Sequence, residues 1–513
     1  MREGKAMASS VWEIVAGGDG AAPAIGAPGR PWLDRAGLAR LVSRTVATLN
    51  AAGIGRGDRV GLVLPNGPEA ASSFLAIAAG ATTAPLNPAY KEDEFGFYLG
   101  DLKPKGLIVL AGHETPARAV AAGLGIPVIA LHPIADGPAG DFRLDTSALP
   151  EADAARGGPA TPEDAALVLH TSGTTARPKI VPLSNANIAA SAANIGRTLA
   201  LGPADRCLNI MPLFHIHGLI AAVTSSIAAG AAVCCTPGFN AFRVFEWLRE
   251  VRPSWYTAVP TMHQAILMRA RNHQDVARDA GLRFIRSSSS SLPPQVMAEL
   301  EATFGCPVIE AYGMTEAAHQ MASNPLPPRP RKPGAVGLAA GPEVAVMDDD
   351  GRLLPPGGVG EVVIRGANVT GGYDNNPDAN ARAFTHGWFR TGDQGRLDPE
   401  GYLFLTGRLK EQINRGGEKI SPLEVDVVLM DHPAVAQCVT FAVPHATLGE
   451  EVAAAIVLRD GTEATEAQIR DFAAERLAAF KVPRRVVFVD EIPKGATGKM
   501  QRIGLAKLLG LAA

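Results

Sequence analysis

One stretch of the sequence places hydroxyl groups, a glycine and a lysine directly after an apolar run. Residues 167–169 are Leu-Val-Leu and predict a strand, and His-Thr-Ser-Gly-Thr-Thr-Ala-Arg-Pro-Lys follows. Small residues let backbone N–H groups approach phosphate oxygens, hydroxyls donate to them, and a lysine supplies charge. A Walker loop needs glycine before the lysine and serine or threonine after it, but Pro178 and Ile180 stand there. We therefore predict either a phosphate loop of another class or a flexible turn, formed by Thr171, Ser172, Gly173, Thr174, Thr175 and Lys179.

A second motif, Glu-Ala-Tyr-Gly-Met-Thr-Glu at 310–316, follows a predicted strand at 307–309. A hydroxyl beside a carboxylate suits a nucleotide–magnesium site, since Thr315 can donate to a phosphate oxygen and Glu316 can bind Mg²⁺. A threonine followed by acids is also a common helix N-cap. Taken alone, the motif predicts one or the other.

Three further motifs lie in the last quarter of the chain. Residues 388–393 end in an aspartate that could accept both hydroxyls of a ribose, or bond its own backbone in a turn. Charges between glycines at 407–411 and 415–419 predict a hinge and a mobile loop, or else a solvated linker. A Gly/Thr loop at 493–499 presents Lys499, which such a loop could carry to a distant site; a solvated lysine is the alternative.

Composition excludes several classes of protein. With 513 residues, the chain exceeds the roughly 250–300 residues of a single core, so we expect at least two domains. Its 47% hydrophobic and 19% charged residues are typical of globular proteins. The net charge of −3 argues against a nucleic-acid partner. Five cysteines without a C-x-x-C pair argue against a disulfide framework or zinc site and favour a reducing compartment.

No membrane partner is expected. Charges scattered through residues 1–20 argue against a signal peptide. Residues 207–242 contain no Asp, Glu, Lys or Arg, but they are rich in small residues and interrupted by prolines. This predicts a buried helix followed by a buried strand rather than a membrane span. The last three residues are not a peroxisomal signal. We expect a cytoplasmic monomer or homodimer.

The elements that must position these motifs alternate between short apolar runs and helical stretches, which is typical of parallel sheets covered by helices. Strands are predicted at 59–64, 106–110, 128–131, 435–443, 451–458 and 485–489, and helices at 69–80 and 466–479. Short strands with glycine turns are expected from 361 to 405. We predict an α/β protein with a large N-terminal domain, residues 1–409, of parallel-type sheets, helices and a β-rich subdomain. A small α+β C-terminal domain would occupy residues 410–513.

Together and in this order, the five motifs resemble the adenylate-forming superfamily, which includes acyl-CoA synthetases, 4-coumarate–CoA ligases, luciferases and the adenylation domains of peptide synthetases. The resemblance runs from about residue 25 to 508. Within the superfamily, the chain is most similar to the oxalate–CoA ligases of plants and fungi. The segments that carry this similarity are Phe-His-Ile-His-Gly-Leu at 214–219, Trp-Tyr-Thr-Ala-Val-Pro-Thr-Met-His-Gln at 255–264, Met-Thr-Glu-Ala-Ala-His at 314–319, Ser-Asn-Pro-Leu-Pro at 323–327 and Ile-Asn-Arg-Gly-Gly-Glu-Lys-Ile-Ser-Pro at 413–422.

The resemblance implies an adenylate-forming fold and a two-step reaction that uses ATP, Mg²⁺ and coenzyme A. A small carboxylic acid and ATP would form an acyl-adenylate and pyrophosphate, after which the CoA thiol displaces AMP. The first step joins two anions, so cations and donors must neutralise the developing charge. The implied substrate is oxalate, giving oxalyl-CoA. The alternatives are another small, aryl or fatty acid (malonate, a coumarate-like acid, a medium chain) or a non-catalytic nucleotide or carboxylate sensor on the same fold.

Matching positions in the superfamily imply a role for each residue. The catalytic set would be Thr171 in the phosphate loop, Thr315 on the α-phosphate, Glu316 on the metal and Lys499 between carboxylate and α-phosphate. Adenine and ribose would contact Ser289, Ser290, Glu310, Ala311, Tyr312, Asp393 and Arg408. Lys410 would be the hinge of a mobile C-terminal domain, and the loop with Gly416, Gly417 and Lys419 would reach the thiol side.

The acyl pocket is implied by four positions, His215, His263, Ser291 and His319. Relatives commonly have Gly-Gly-Ala-Pro where this chain has serine at 288–291. This change should narrow the pocket and add hydroxyl donors. We expect His319 and Ser291 to contact the substrate foremost and His263 next, while His215 has the alternative role of a gate between the acyl pocket and CoA.

Overall fold

Within the described part of a computed structural model, residues 8–171, 178–494 and 500–512, the first sheet is built around buried parallel strands. The strands as far as residue 184 are β1 (Pro23–Gly26), β2 (Leu33–Asp34), β3 (Arg59–Val63), β4 (Thr82–Pro85), β5 (Gly106–Leu110), β6 (Val128–Pro133), β7 (Phe142–Asp145), β8 (Ala165–His170) and β9 (Ile180–Ser184). Strands β3–β9 pair in the order β7-β6-β5-β3-β4-β8-β9. Only β6–β7 and β8–β9 are antiparallel pairs within this sheet. Near-continuous apolar runs such as Val60–Val63 suit strands covered on both faces.

The second sheet carries the middle of the chain. Its later strands are β10 (Arg206–Asn209), β11 (Ala232–Cys235), β12 (Trp255–Ala258), β13 (Phe284–Ser288), β14 (Val308–Met314), β15 (His319–Ser323) and β16 (Leu338–Ala339). The order is β16-β15-β14-β13-β12-β10-β11-β1-β2, with parallel pairing from β14 to β1. Because parallel strands end at one edge of a sheet, the loops after β13 and β14 are brought together there, which is where ligands bind in such folds.

Helices cover these sheets and fill the space between them. They are α1 (Val11–Ala16), α2 (Arg35–Ala51), α3 (Pro68–Ala78), α4 (Glu92–Leu102), α5 (Pro116–Gly123), α6 (Asn185–Thr198), α7 (Ser225–Ala228), α8 (Val244–Val251), α9 (Pro260–Ala270), α10 (Gln274–Asp279), α11 (Pro294–Phe304), α12 (Pro377–Ala383), α13 (Pro422–Met430), α14 (Glu466–Ala474) and α15 (Leu505–Leu508). Helix α3 contacts β4 and β8 of the first sheet and β1 and β11 of the second. Its many alanines and serines let a helix fit between two sheets, and all its residues except Glu69 are buried.

The last two sheets are smaller and mostly antiparallel. Strands β17 (Glu343–Met347), β18 (Gly360–Arg365), β19 (Phe384–Thr385), β20 (Trp388–Leu397) and β21 (Leu403–Arg408) form one. Strands β22 (Ile413–Arg415), β23 (Glu418–Ile420), β24 (Val435–His445), β25 (Gly449–Leu458) and β26 (Arg485–Phe488) form the other. Two apolar clusters between Ile413 and Leu511 contain none of the described residues that precede Ile413. The domain boundary at 409/410 stays a prediction.

Most predicted elements lie where expected. The charge-free segment 207–242 contains a π-helical turn at His217–Thr224, helix α7 and then buried strand β11. In the described residues no helix is long and apolar enough to cross a membrane. The five cysteines are buried free thiols. The helix predicted at 466–479 ends at Ala474 because the chain tightens into turns, with Arg476 N–H donating to the Ala473 carbonyl three residues back (3.1 Å).

Candidate active site

The predicted phosphate loop connects two antiparallel strands. Strand β8 enters it at Thr171 and β9 leaves it after Lys179. Thr171 N–H donates to the Lys179 carbonyl (2.9 Å), and Lys179 N–H donates to Thr171 Oγ1 (3.1 Å), so the two ends of the loop are clamped together. The predicted loop residues Ser172, Gly173, Thr174 and Thr175 lie outside the described residues. The lysine is therefore anchored at the edge of the first sheet.

A buried tyrosine joins that lysine to the predicted metal ligand. Tyr373 Oη donates to Glu316 Oε1 (2.8 Å), and Lys179 Nζ lies 3.6 Å from the centroid of the Tyr373 ring. Burial lowers the pKa of Lys179, and the carboxylate of Glu316 partly offsets this effect. Lys410 and Arg382 lower the same pKa because they are positive charges nearby. Two further positive charges, on Lys410 and Arg382, thus lie close enough to influence Lys179 at the predicted phosphate end of the site.

The predicted metal ligand, Glu316, lies at the start of a short helix. Strand β14 ends at Met314, and a 3₁₀ turn at Thr315–Ala317 follows, stabilised by Thr370 N–H donating to the Glu316 carbonyl (2.7 Å). Glu316 is 6% exposed. The described residues contain no group of three or more His, Cys, Asp or Glu side chains that could enclose a metal ion. A carboxylate alone, completed by phosphate oxygens, is the usual protein environment for Mg²⁺.

The predicted ribose site is a buried aspartate held by two donors. Asp393 lies within strand β20 rather than in a turn, and it faces Arg408 on the neighbouring strand. Tyr312 Oη donates to Asp393 Oδ2, and Arg408 Nε lies 3.0 Å from Asp393 Oδ1. Burial raises the pKa of the Tyr312 hydroxyl, and the charge of Asp393 adds to this. The carboxylate is thus fixed in place and neutralised by residues that the sequence had already marked.

The predicted adenine frame contains a buried carboxyl group. Glu310 Oε1 accepts a hydrogen bond from Leu292 N–H (2.9 Å), which fixes the end of the serine run. Burial raises the pKa of Glu310 to about 8. Ser288 Oγ donates to the Ala311 carbonyl (2.8 Å), so strands β13 and β14 are tied together here. Ser290, by contrast, is exposed on the loop.

An arginine forms the centre of the acyl region. Arg286 is 0% exposed on β13, and no described acidic side chain forms an ion pair with it. Its Nη atoms make only long contacts, 3.4 Å to His217 Nε2, 3.5 Å to His319 Nδ1 and 3.3 Å to Gln320 Oε1. Burial lowers the pKa of Arg286 to about 9. The guanidinium is still charged at neutral pH, so this cluster has a buried positive charge that lacks a counter-ion among the described side chains.

The same cluster orients a serine hydroxyl. His217 Nε2 lies 2.6 Å from Thr257 Oγ1 and also faces Arg286, which can only donate. This favours an Nε2 that accepts, which places the ring proton on Nδ1. Nδ1 lies 3.0 Å from Ser289 Oγ and would donate to it. The Ser289 hydroxyl proton is then available to a ligand, and Ser289 adopts a φ of +75° that turns it out of the strand direction.

The four predicted acyl residues are not all brought together. His319 lies in the arginine cluster, with its ring centroid 5.0 Å from that of His217. His263 is buried on α9, where Tyr256 Oη lies 3.2 Å from its Nδ1, within the apolar cluster on the other face of β12. Burial lowers the pKa of His263 to about 3. His215 is half-buried and accepts from His217 N–H, and Ser291 is half-buried on the loop after β13.

The C-terminal candidate residues lie on both sides of the predicted hinge at Lys410. Lys410 lies in a 3₁₀ turn, Leu409–Glu411, and Glu411 pairs with Arg502 of the C-terminal segment (3.1 Å). Gly416, Gly417 and Lys419 are exposed on the hairpin of β22 and β23. Lys499 lies outside the described residues. In this arrangement, the predicted thiol-side loop faces solvent.

Sequence reasoning missed three residues that the fold brings into the site: Arg286, Gln320 and Tyr373. It noted His217 in the acyl motif but did not select it. One signal could have identified Arg286. It is a charged residue within a buried strand, Phe-Ile-Arg-Ser-Ser, and charged residues are almost never fully buried unless they are paired. Tyr373 had no comparable signal, since its partners lie 57 and 194 residues away in sequence.

Comparison with known proteins agrees with this geometry. The sequence is 47% identical over 485 residues to an oxalate–CoA ligase of Arabidopsis thaliana, covering 93% of this chain and 94% of the relative. It is 48% identical over 478 residues to a probable CoA ligase of Humulus lupulus, covering 92% and 90%. The crystal structure of ATP-bound MatB from Rhodopseudomonas palustris has a TM-score of 0.87 at 30% identity, over 98% of both chains.

These similarities confirm the predicted adenylate-forming fold and the superfamily resemblance. The family described as AMP-binding enzyme matches residues 15–374, and the AMP-binding enzyme C-terminal domain matches residues 424–499. The first match alone covers more than two thirds of the chain. The chain therefore belongs to the AMP-binding enzyme family.

Proposed function

We propose that the protein is an AMP-forming acid–CoA ligase and that it converts oxalate to oxalyl-CoA. The observation that carries oxalate is the buried charge of Arg286. An uncompensated buried charge costs several kcal/mol, and a ligand carboxylate placed beside it would remove that cost. Oxalate brings two carboxylates, of which one reacts and the other can pair with the guanidinium.

The surrounding groups favour a short, doubly charged acid. His217, His319 and Gln320 lie within 3.5 Å of the Arg286 Nη atoms, and Ser289 offers a hydroxyl proton. An alkyl or aryl tail in this place would leave the arginine unpaired. It would also place the polar side chains of the cluster against an apolar group. A site built for charge rejects such analogues steeply. The relatives named oxalate–CoA ligase support the same choice of substrate.

The first half-reaction would take place between the two sheets. Lys179, at the edge of the first sheet, would contact the phosphates of ATP, and Asp393 would accept hydrogen bonds from the ribose hydroxyls. Glu316 fits Mg²⁺ because it is a buried oxygen ligand beside the phosphate-binding lysine. The metal, when bound, would neutralise phosphate charge. Thr315 would donate to the α-phosphate, and Lys499 would lie between that phosphate and the attacking carboxylate, where opposing charge lowers the barrier.

The second half-reaction would need the C-terminal domain to turn. The loop with Gly416, Gly417 and Lys419 is exposed, so it must move to meet the CoA thiol. Lys410 is the proposed hinge, and a hinge needs only one or two residues that change φ and ψ. The Glu411–Arg502 ion pair would make the segment after the hinge move together with the C-terminal domain.

The proposal is tested by measuring CoA-dependent AMP formation with oxalate, malonate, acetate, octanoate and coumarate. Oxalate should be the best substrate, malonate poor, and chains above about six carbons inactive, because they cannot pair with the buried charge. Efficient turnover of octanoate or coumarate would overturn the oxalate assignment and leave the ligase chemistry intact. AMP formation with none of these acids, together with retained ATP binding, would instead favour a sensor.

A further inference from the structure

Tyr373 lies between two opposite charges that both have a proposed role. Its hydroxyl donates to Glu316 Oε1 (2.8 Å), while the Lys179 ammonium lies over its ring at 3.6 Å from the centroid. The tyrosine is 8% exposed, and the carboxylate that it contacts is 6% exposed. The ring is therefore a spacer, with a hydrogen bond on one side and a cation–π contact on the other.

We propose that Tyr373 is a positioning residue that keeps the Glu316 carboxylate and the Lys179 ammonium apart, holding the first for Mg²⁺ and the second for phosphate. This inference rests on the proposed function, because it assigns the two charges to a bound Mg·ATP. It goes beyond that function in giving a role to a residue that contacts neither the acid nor the thiol. The hydroxyl acts on the carboxylate, and the ring acts on the lysine.

The physical reason is competition. Two opposite charges near each other in a partly buried site attract more strongly than they would in water. The Glu316 charge already acts on the pKa of Lys179 across the ring. If the two groups met directly, each would neutralise the other before nucleotide arrived, and Mg²⁺ would have to break an ion pair. The aromatic ring prevents this contact and still stabilises the ammonium.

The tyrosine is itself held rigidly. Asn380 Oδ1 accepts from Tyr373 N–H (2.7 Å), and Asn380 Nδ2 donates to the Tyr373 carbonyl (2.9 Å). The neighbouring Asp374 N–H donates to the Ile180 carbonyl on β9 (3.0 Å), directly after Lys179. The ring is thus fixed to the same strand that anchors the lysine. Loss of a residue that orients a metal ligand by a hydrogen bond typically weakens metal binding 10–100-fold.

The chain offers a matched control at Tyr402. That tyrosine is 3% exposed, its hydroxyl donates to the Pro330 carbonyl (2.6 Å), and Lys332 Nζ lies 4.4 Å from its ring centroid. Tyr402→Phe removes the same hydroxyl from the same kind of surroundings. None of its partners has a proposed role in nucleotide binding.

The test measures ATP binding to the full-length protein, by displacement of a fluorescent ATP analogue, as MgCl₂ is raised from an EDTA baseline. For Tyr373→Phe, the Mg²⁺ concentration for half-maximal tightening should rise about 10-fold. Binding of metal-free ATP should stay within about twofold, since the ring still shields Lys179. Tyr373→Ala should also weaken metal-free ATP binding, because Lys179 can then pair with Glu316. Tyr402→Phe should match the wild type in both measurements.

Other outcomes would overturn the inference in distinguishable ways. If the Mg²⁺ concentration for half-maximal tightening in Tyr373→Phe stays within about twofold of the wild-type value, the hydroxyl does not position Glu316. The same conclusion follows if Tyr402→Phe shifts that concentration as much as Tyr373→Phe does. Equal weakening of metal-free and Mg²⁺-dependent binding in Tyr373→Phe would indicate a general structural role. If Tyr373→Ala does not fold, the Tyr373→Phe result decides alone. A wild type that binds no ATP at any Mg²⁺ concentration would overturn the proposed function itself.

Discussion

The nucleotide region and the acyl region of this protein differ in whether their buried charged side chains have counter-ions. At the ribose end of the nucleotide region, the Asp393 carboxylate is paired with Arg408. In the acyl region, Arg286 is fully buried beside imidazoles and an amide, with no described acid to pair with it. The ribose end is neutralised by its own residues before any ligand binds, whereas the acyl region has a positive charge that a ligand would neutralise.

This difference separates generic from specific binding. A site whose charges are already paired loses little stability when the nucleotide leaves. Such a site can therefore be used with any acid that a family member adenylates. A site with an unpaired buried charge is unfavourable when empty, and the substrate that removes this cost is strongly preferred. The stored cost in the acyl region is thus the physical origin of the selectivity that we propose.

The largest expected effect is at Lys499, which would act where the two regions meet. Lys499→Ala should lower adenylate formation by about 1,000-fold or more, because it removes a charge placed between two anions. The reaction of preformed oxalyl-adenylate with CoA should be nearly unchanged. Pyrophosphate release and thioester formation, measured separately, test this. Equal loss in both half-reactions would mean that Lys499 does not serve the first step alone.

Arg286→Met should separate activity from stability. We expect kcat/KM for oxalate to fall about 100–1,000-fold while KM for ATP changes less than about threefold, since only the acyl region loses its charge. The free energy of unfolding should rise by about 1 kcal/mol or more, because an unpaired buried charge is removed. Steady-state kinetics and urea unfolding measure the two quantities.

The matched control for this prediction is Arg283→Met, three residues away. Arg283 pairs with Asp205 through Nε and Nη2, both at 3.0 Å. Loss of this pairing in Arg283→Met should destabilise the protein by about 1–3 kcal/mol and leave KM for oxalate unchanged. If Arg286→Met destabilises the protein as Arg283→Met does, the buried charge is compensated in the free protein and the contrast between the regions fails.

Asp393→Asn tests whether the two regions are independent. The variant removes the charge that orients Tyr312 and Arg408, so KM for ATP should rise about 10–100-fold. KM for oxalate should change by less than about threefold, because the acyl cluster does not involve this carboxylate. Asp398→Asn, which loses a pairing with Lys332 at the far end of the same strand, should leave both constants unchanged. A comparable rise in the oxalate KM of Asp393→Asn would show that the two regions are coupled and not independent.

The last prediction concerns the pH dependence of stability. Burial raises the pKa of Glu310 from 4.5 to about 8, so the folded protein keeps a proton that the unfolded chain has lost. The stability from this group is present below pH 4.5 and is lost as pH rises towards 8, at up to about 1.4 kcal/mol per pH unit. Glu310→Gln should flatten this decline in urea unfolding between pH 5 and 8. Glu301→Gln, at a half-buried site on α11, should retain it, and a wild type equally stable across this range would contradict the prediction.

Local pattern was sufficient for most elements and for one contact of the predicted nucleotide region. Strand Gly106–Leu110 was predicted with its observed bounds, and the charge-free segment was correctly predicted as buried helix and strand. The motif around Tyr312 and the aspartate at 393 contact each other as the family resemblance implied they should be close. These residues lie in short runs whose spacing is itself the signal.

The acyl region could not be worked out in this way. Whether a histidine faces the pocket depends on which face of the sheet its helix covers, and that choice places His263 among apolar side chains and His217 beside Arg286. Both histidines stand in motifs of the same kind, so spacing alone does not separate them. Strand alternation places Arg286 and Thr257 on the same face only once β12 and β13 are known to pair.

The sequence by itself determined the fold class and the superfamily, because both rest on contiguous motifs in which neighbours along the chain are neighbours in space. Only the tertiary structure decided which charges are paired. Tyr373, Glu316 and Lys179 are far apart along the chain and come close because the segment at 370–374 hydrogen-bonds both to the turn after β14 and to β9. The burial of Arg286 with no acidic partner among the described side chains is likewise a property of the packed core, where solvation and counter-ions are set by residues from many strands at once.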